Sequence, residues 1–193
     1  GRYSFLATHP FLEIEAYGDR VTVNSPSGVS ASGAPILVTR QFQAANPLEE
    51  LRRRVEGVRA ATLPELPPFV SGAVGYAGYD VVRYCEHLPH APQDDRQVPD
   101  LAFAFYDQMV VFDHVTKAIV VVAMARRDKA EDLREAYEAA CRRVDGLVEE
   151  LSTTACDLQP FDIGTSGEPQ LPCQSNFTQA DFEAAVHKCV EYI

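Results

Sequence analysis

The sequence predicts an α+β fold in which antiparallel sheets are covered by helices. Three observations carry that prediction. Strand-length apolar runs follow one another across short turns, as at Gly18-Asp19 and Asp113–Lys117. Such turns join antiparallel neighbours, because a parallel crossover needs a dozen residues or more. Segments of helical periodicity are interspersed among these runs without strict β-α alternation, the pattern of layered sheets and helices. Finally, 46% of the 193 residues are hydrophobic, and a chain of that length buries roughly 70% of its unfolded surface when it folds.

Ser4 to His9 and Leu12 to Ala16 read as strands, and Gly18-Asp19 turns the second into Val21–Val23. Residues 25–35, rich in Ser, Gly and Ala with two prolines, read as a mobile loop. Asn46 then offers a helix cap, Pro47 occupies the first helical position and Glu49 lies in the first turn. Leu48, Leu51, Val55 and Val58 give that helix an apolar face, and Pro64, Pro67 and Pro68 close the region. Phe69 to Tyr76 reads as a buried strand and Leu101 to Asp113 as a single long one, followed by a turn into the strand Ala118 to Ala125.

Asp128 is the expected cap of a long helix reaching about Glu150, carried on Leu133, Tyr137, Cys141, Val144 and Val148. Residues 151–176 lack periodicity and read as a linker. Thr178, with Asp181 three residues on, opens a last helix whose apolar face comprises Phe182, Ala185, Val186, Cys189, Val190 and Ile193. That helix meets no Gly, Asn or Pro before Ile193, so its packing partner is expected further along a longer polypeptide. The expected organisation is an amino-terminal α+β domain over residues 1–150, a linker over 151–176, and the first helix of another domain over 177–193.

Charge narrows the function. With 28 acidic and 17 basic residues the formal net charge is −11. Nucleic acids and anionic membranes are therefore not expected partners, since both demand a basic face. No apolar run approaches the roughly 20 residues of a membrane-spanning helix, and the opening Gly-Arg-Tyr-Ser-Phe has no signal-peptide pattern. The five widely spaced cysteines include no C-x-x-C pair, which suggests free thiols in a reducing cytoplasm rather than a disulfide framework or a zinc site.

The most distinctive segment is Ser71-Gly72-Ala73-Val74-Gly75-Tyr76-Ala77-Gly78-Tyr79-Asp80. Its G-x-x-G-x-x-G spacing is not the dinucleotide fingerprint, and it lacks the Lys-Ser/Thr of a P-loop. Glycine within a strand marks a bend or the close approach of a neighbouring backbone, and that structural role is the expectation here. Asp80 is placed to cap a helix opening at Val81 or to pair with Arg83 at i,i+3 spacing. Cys85, Glu86, His87 and His90, interrupted by Pro89, read as a surface loop rather than a metal site. His9, His114 and His187 read as surface or satisfied histidines. No catalytic, substrate-binding or metal-ligating set emerges from these residues.

Several pieces, taken in order, nevertheless resemble one family. They are Gly1-Arg2-Tyr3-Ser4-Phe5-Leu6, the segment Phe69–Tyr76 running into Gly78-Tyr79-Asp80-Val81-Val82-Arg83-Tyr84, Pro99–Phe103, Phe105-Tyr106-Asp107, Val111–His114 and Ser175–Phe182. Together they are similar to the amino-terminal region of anthranilate synthase component I, a chorismate-utilising enzyme. The resemblance implies a parent that converts chorismate and ammonia to anthranilate and pyruvate in tryptophan biosynthesis. The ammonia comes from glutamine through an amidotransferase subunit (component II), and Mg2+ holds the substrate carboxylates. The family's catalytic, chorismate-binding and magnesium residues belong to its carboxy-terminal domain, so none is expected in this chain, and the chain alone should be inactive.

The family's tryptophan feedback pocket uses a Leu-Leu-Glu-Ser segment expected upstream of Gly1 and a Pro-rich segment expected downstream of Ile193. Arg2, Tyr3 and Ser4 are the residues of this chain that would edge that pocket, the competing reading being a packed Tyr3 with Arg2 at the surface. Two other readings accompany this one. One is the aminodeoxychorismate synthase component of folate synthesis, which shares the Gly-rich segment. The other is a non-catalytic module that senses tryptophan and docks the amidotransferase. Apolar surface normally covered by the second half of the fold also makes self-association an expectation.

Overall fold

A computed structural model describes residues 1–29, 35–61, 63–127, 132–153 and 174–193, together with 164, 166, 167 and 172. The chain divides into two compact units, Gly1–Thr154 and Ala155–Ile193. The first holds two antiparallel sheets with helices packed against them, the α+β arrangement expected from the sequence.

The larger sheet has the order β4-β3-β2-β6-β5, formed by β2 (Leu12–Tyr17), β3 (Arg20–Val29), β4 (Pro35–Gln43), β5 (Gly72–Ala77) and β6 (Leu101–Tyr106). Gly18 makes the tight β2–β3 turn in the left-handed region, φ +56°, which costs glycine nothing. β3 then continues well past Val23 and pairs with β4 along its length, with a bulge between Pro26 and Gly28. The expected loop over 25–35 is therefore strand at both ends. The bulge accommodates the proline that made the segment look irregular, and residues 30–34 lie outside the described residues.

Alternation sends Ile14, Ala16, Val21, Val23, Leu101 and Phe105 to one face, where they form the core. Helix α1 (Pro47–Glu56) covers that face with Leu48 and Leu51, and a 3₁₀ helix (Tyr79–Tyr84) adds Val81 and Tyr84. The α1 cap is as expected: Asn46 Oδ1 accepts the Leu48 N–H at 3.1 Å. Its apolar face is shorter than expected, because Val55 and Val58 are exposed. The 3₁₀ helix opens at Gly78 without a side-chain cap. Asp80 instead accepts from Arg83 Nε at 2.6 Å, so it forms the ion pair and not the cap. Tyr84 Oη and the Gly18 N–H both donate to Asp100 Oδ2, at 2.9 and 2.7 Å. Burial, with that hydrogen bond, raises the Tyr84 phenol above its ordinary pKa.

β5 is not the buried strand expected over Phe69–Tyr76. It forms the edge of the sheet, with Val74 51% and Tyr76 45% exposed. Gly75 does mark a close backbone approach: a Cβ there would lie 2.0 Å from Ala102 O and 2.6 Å from Phe103 Cα. The close neighbour is the backbone of β6.

The expected single strand Leu101–Asp113 is two strands in two sheets. β6 ends at Tyr106, and β7 (Gln108–Asp113) enters a smaller sheet of order β1-β7-β8, with β1 Tyr3–Leu6 and β8 Ala118–Ala123. Asp107 makes the break. Its carboxylate accepts from Arg143 Nη1 at 2.9 Å and lies 3.5 Å from Arg126 Nη1, while its carbonyl accepts the Met124 N–H at 2.7 Å. The Arg126 guanidinium also lies 4.1 Å from the Phe11 ring centroid, which ties the crossover to the strand entering the larger sheet.

Helix α2 (Leu133–Thr153) lies against β8. Its first turn is capped by Asp132, which accepts the Glu135 N–H at 2.7 Å; the expected cap, Asp128, lies outside the described residues. Its buried residues are Ala136 and Ala140, whereas Leu133 and Tyr137 are 69% and 64% exposed. In its first two turns the helix thus turns Ala136 and Ala140, not Leu133 and Tyr137, toward the sheet. Small residues permit a close helix–sheet approach that a Leu/Tyr face would prevent.

In the second unit, α3 (Gln179–Glu191) begins at Thr178, whose Oγ1 accepts the Asp181 N–H at 3.2 Å and donates to the Asp181 carboxylate at 2.6 Å. Most of the linker expected over 151–176 lies outside the described residues, and α2 runs into its start. Among the described residues no helix is long and apolar enough to cross a membrane.

Candidate functional site

Arg2, Tyr3 and Ser4 lie at the start of β1, the edge strand of the smaller sheet. The β1–β7 register sets Tyr3 opposite Asp113, Ser4 opposite Phe112 and Phe5 opposite Val111. Opposed residues share a face in an antiparallel pair. Tyr3, Phe5 and Asp113 therefore stand on one side of the sheet, with Ser4 and Leu6 on the other.

Asp113 organises the first side. It ends β7, and its Oδ1 accepts the Val115 and Thr116 N–H groups at 2.9 and 3.2 Å, which closes the turn predicted into β8. The same carboxylate receives Arg2 through Nη2 at 2.8 Å and Nε at 3.2 Å. Such charge-assisted, forked bonding is among the stronger polar contacts in proteins. Arg2, helped by the two turn amides, holds the Asp113 carboxyl well below the usual carboxylate range against the opposing effect of burial. The carboxylate in turn raises the guanidinium pKa. The His114 N–H donates to the Arg2 carbonyl at 2.8 Å, which fixes the residue's backbone as well.

The guanidinium lies 4.8 Å from the Tyr3 ring centroid. Tyr3 meets Phe5 at 6.2 Å, and Phe5 meets Phe69 edge-on at 5.7 Å. The Arg2 side chain remains half exposed. Asp113 engages Nε and Nη2, while Nη1 carries two further N–H donors. This side presents an oriented cation beside a row of aromatic edges, a set that suits a small molecule with a carboxylate and an aromatic body. On the opposite side, Ser4 Oγ and His114 Nε2 are 2.7 Å apart. This resembles the first two members of a nucleophilic triad. The carboxylate next in sequence, Asp113, is directed to Arg2 and the turn amides, however, so the arrangement suits binding and not acyl transfer.

Sequence reasoning named Arg2, Tyr3 and Ser4 but did not name Asp113 and His114 as their structural partners, reading them only as a turn. Only the β1–β7 register brings the two segments together. It also missed a cavity of about 270 Å3 lined by Leu6, Met109, Val110, Leu147 and Leu151, with Glu150 among its polar members. Those residues come from three separated segments, and no local signal marks them. Among the described residues, no three His, Cys, Asp or Glu side chains converge as a metal-binding group. The magnesium implied by the family resemblance has no matching donor set there.

Comparison with known proteins agrees with the family resemblance. Anthranilate synthase component 1 of Acetivibrio thermocellus is 29% identical over 194 residues, a match covering 100% of this chain and 37% of that protein. The chloroplastic anthranilate synthase alpha subunit 1 of Oryza sativa subsp. indica is 32% identical over 203 residues, covering 100% of this chain and 33% of its own length. The crystal structure of anthranilate synthase component I from Streptococcus pneumoniae TIGR4 superposes with a TM-score of 0.62 at 25% identity, covering 100% of this chain and 38% of that one. The chain thus spans about a third of the length of the proteins it resembles. Residues 3–193 match the family described as chorismate binding enzyme, and the chain belongs to that family.

Proposed function

We propose that this chain serves as the amino-terminal, structural and regulatory part of an anthranilate synthase component I. The observation that carries the proposal is the run of component I relatives aligned across 100% of the chain, with a solved structure of the same name sharing its fold. In this reading the complete cytoplasmic enzyme is a lyase that converts chorismate and ammonia to anthranilate and pyruvate. A glutamine amidotransferase subunit delivers the ammonia. Chorismate and Mg2+ are held by polypeptide outside these residues.

The regulatory role falls to the β1 edge. Arg2, fixed by Asp113, donates to the carboxylate of tryptophan; Tyr3 offers an aromatic edge to the indole, and Ser4 a hydroxyl near the site. Binding there biases the complete enzyme only if the contacts differ between its active and inhibited states.

The test substitutes this chain for the matching region of the Acetivibrio thermocellus component 1, keeping that protein's segments on both sides of it, and supplies chorismate, Mg2+ and an ammonium salt. Release of anthranilate and pyruvate is expected, with none from the 193-residue chain alone. A 4-amino-4-deoxychorismate product would overturn the assignment in favour of the folate enzyme. In the same chimera, Arg2→Ala should raise the tryptophan concentration for half-inhibition by about tenfold, the loss of roughly 1.4 kcal/mol of binding. Unaltered inhibition would remove Arg2 from the effector site.

A further inference from the structure

We infer, on the reading that Arg2 receives the carboxylate of tryptophan, that Asp113 is the positioning residue of that site: it occupies one fork of the guanidinium and so aims the other at the effector. A guanidinium offers two pairs of near-parallel N–H donors, one from Nε and Nη2, the other from Nη1 and Nη2. Asp113 takes the first pair, with its Oδ2 2.8 Å from Nη2 and 3.2 Å from Nε, and its Oδ1 3.3 Å from Nε. The group is planar, so the second pair points away from Asp113, on a side chain that stays half exposed. That pair has the spacing to bond both oxygens of a second carboxylate.

Asp113 does not itself touch the effector. Its side chain is 9% exposed, and an ionised carboxylate has about four acceptor sites. Oδ1 spends two on the Val115 and Thr116 N–H groups, and Oδ2 spends two on Arg2. Asp113 therefore acts only through Arg2. Pairing also reduces the net charge that Arg2 presents, so what Asp113 supplies is direction and not attraction.

Arg2 is fixed at two other points. Its carbonyl accepts the His114 N–H at 2.8 Å, and its guanidinium lies 4.8 Å from the Tyr3 ring centroid. With Asp113 in place, backbone, aromatic face and carboxylate together set the side chain before any ligand arrives. Without it, a long, half-exposed side chain must be ordered on binding, which weakens affinity by about fivefold.

Asp113→Asn separates this role from the turn. Asparagine keeps an oxygen for the Val115 and Thr116 amides but turns an NH2 group toward the guanidinium, which releases Arg2. In the chimera, Asp113→Asn should raise the tryptophan concentration for half-inhibition by about fivefold. The decisive arm is the double variant. Since Asp113 acts through Arg2, adding Asp113→Asn to Arg2→Ala should leave half-inhibition at the shift of about tenfold seen with Arg2→Ala alone, whereas independent effects would multiply to about fiftyfold. A second measurement needs no Asp113 variant. Nitrogen NMR of the 193-residue chain should show the Arg2 Nε–H, identified by its loss in Arg2→Ala, exchanging slowly with water, with its two Nη resonances distinct. Inhibition unaltered by Arg2→Ala would overturn the effector reading and the inference together. Three results would overturn the inference and leave that reading standing: Asp113→Asn without effect where Arg2→Ala has one, a double variant whose losses multiply, or a fast-exchanging, averaged Arg2 guanidinium.

Discussion

Among the described glycines, Gly75 should be the one whose replacement by alanine is most damaging. The added Cβ would lie 2.0 Å from Ala102 O, 2.6 Å from Phe103 Cα and 2.9 Å from Ala102 C. All three are backbone atoms of β6, so no rotamer change relieves the clash. Ordinary van der Waals contact begins near 3.4 Å, which leaves the strands about 1.4 Å too close. A ladder bond of about 2.9 Å cannot stretch that far and persist. Relief therefore means parting β5 from β6 around Gly75 and losing roughly two hydrogen bonds with incomplete compensation, in addition to overpacking strain. Those losses total about 3–5 kcal/mol, a large share of the 5–15 kcal/mol that stabilises a typical domain. Gly146→Ala in α2 is the control, because nothing lies within 4 Å of its added Cβ and alanine is the better helix former by about 1 kcal/mol. The chain has 8 Tyr and no Trp, so urea unfolding is followed by circular dichroism and tyrosine fluorescence. A Gly75→Ala midpoint within about 0.5 kcal/mol of the parent, or one above that of Gly146→Ala, would refute the close-approach argument.

Two further perturbations probe the smaller sheet and its connection. Asp113 is held below its unfolded carboxylate value, near 3.9, so its pairing stabilises the fold above about pH 4 and that contribution is lost as pH falls toward the folded value. Asp113→Asn and Arg2→Ala should each flatten the acid limb of stability against pH, and a limb unchanged in both would remove the pair from the account. Asp107→Ala strips the carboxylate that joins Arg143 and Arg126 at the crossover. With all three side chains less than a third exposed, the expected cost is about 2 kcal/mol in denaturant midpoint; a loss under about 0.5 kcal/mol would mean that the break between β6 and β7 is set elsewhere.

The family resemblance rests on segments whose structural work is now visible. Gly75 admits the β6 backbone, Asp100 ties Tyr84 to the Gly18 turn, Asp107 redirects the chain between sheets, and Asp113 anchors Arg2. Reasoning from residue chemistry alone found no catalytic set in these motifs. Asp107 and Asp113 spend their carboxylates on arginines, and Asp100 accepts from a tyrosine and a backbone amide.

What the sequence determined unaided is the chemistry completed within about four residues. Asn46 caps α1, Thr178 and Asp181 cap each other, Gly18 turns a hairpin, and Asp80 reaches Arg83 one helical turn away. Each partner is close along the chain, so local spacing is sufficient to name it. The tertiary structure alone decided which apolar face is buried, which strand is an edge and where a strand must break. Arg2 and Asp113 stand 111 positions apart, α2 buries Ala136 and Ala140 instead of Leu133 and Tyr137, and β5 is an edge although its composition suits a core. Those outcomes depend on what docks opposite, and a neighbour distant in sequence leaves no periodicity by which to read it.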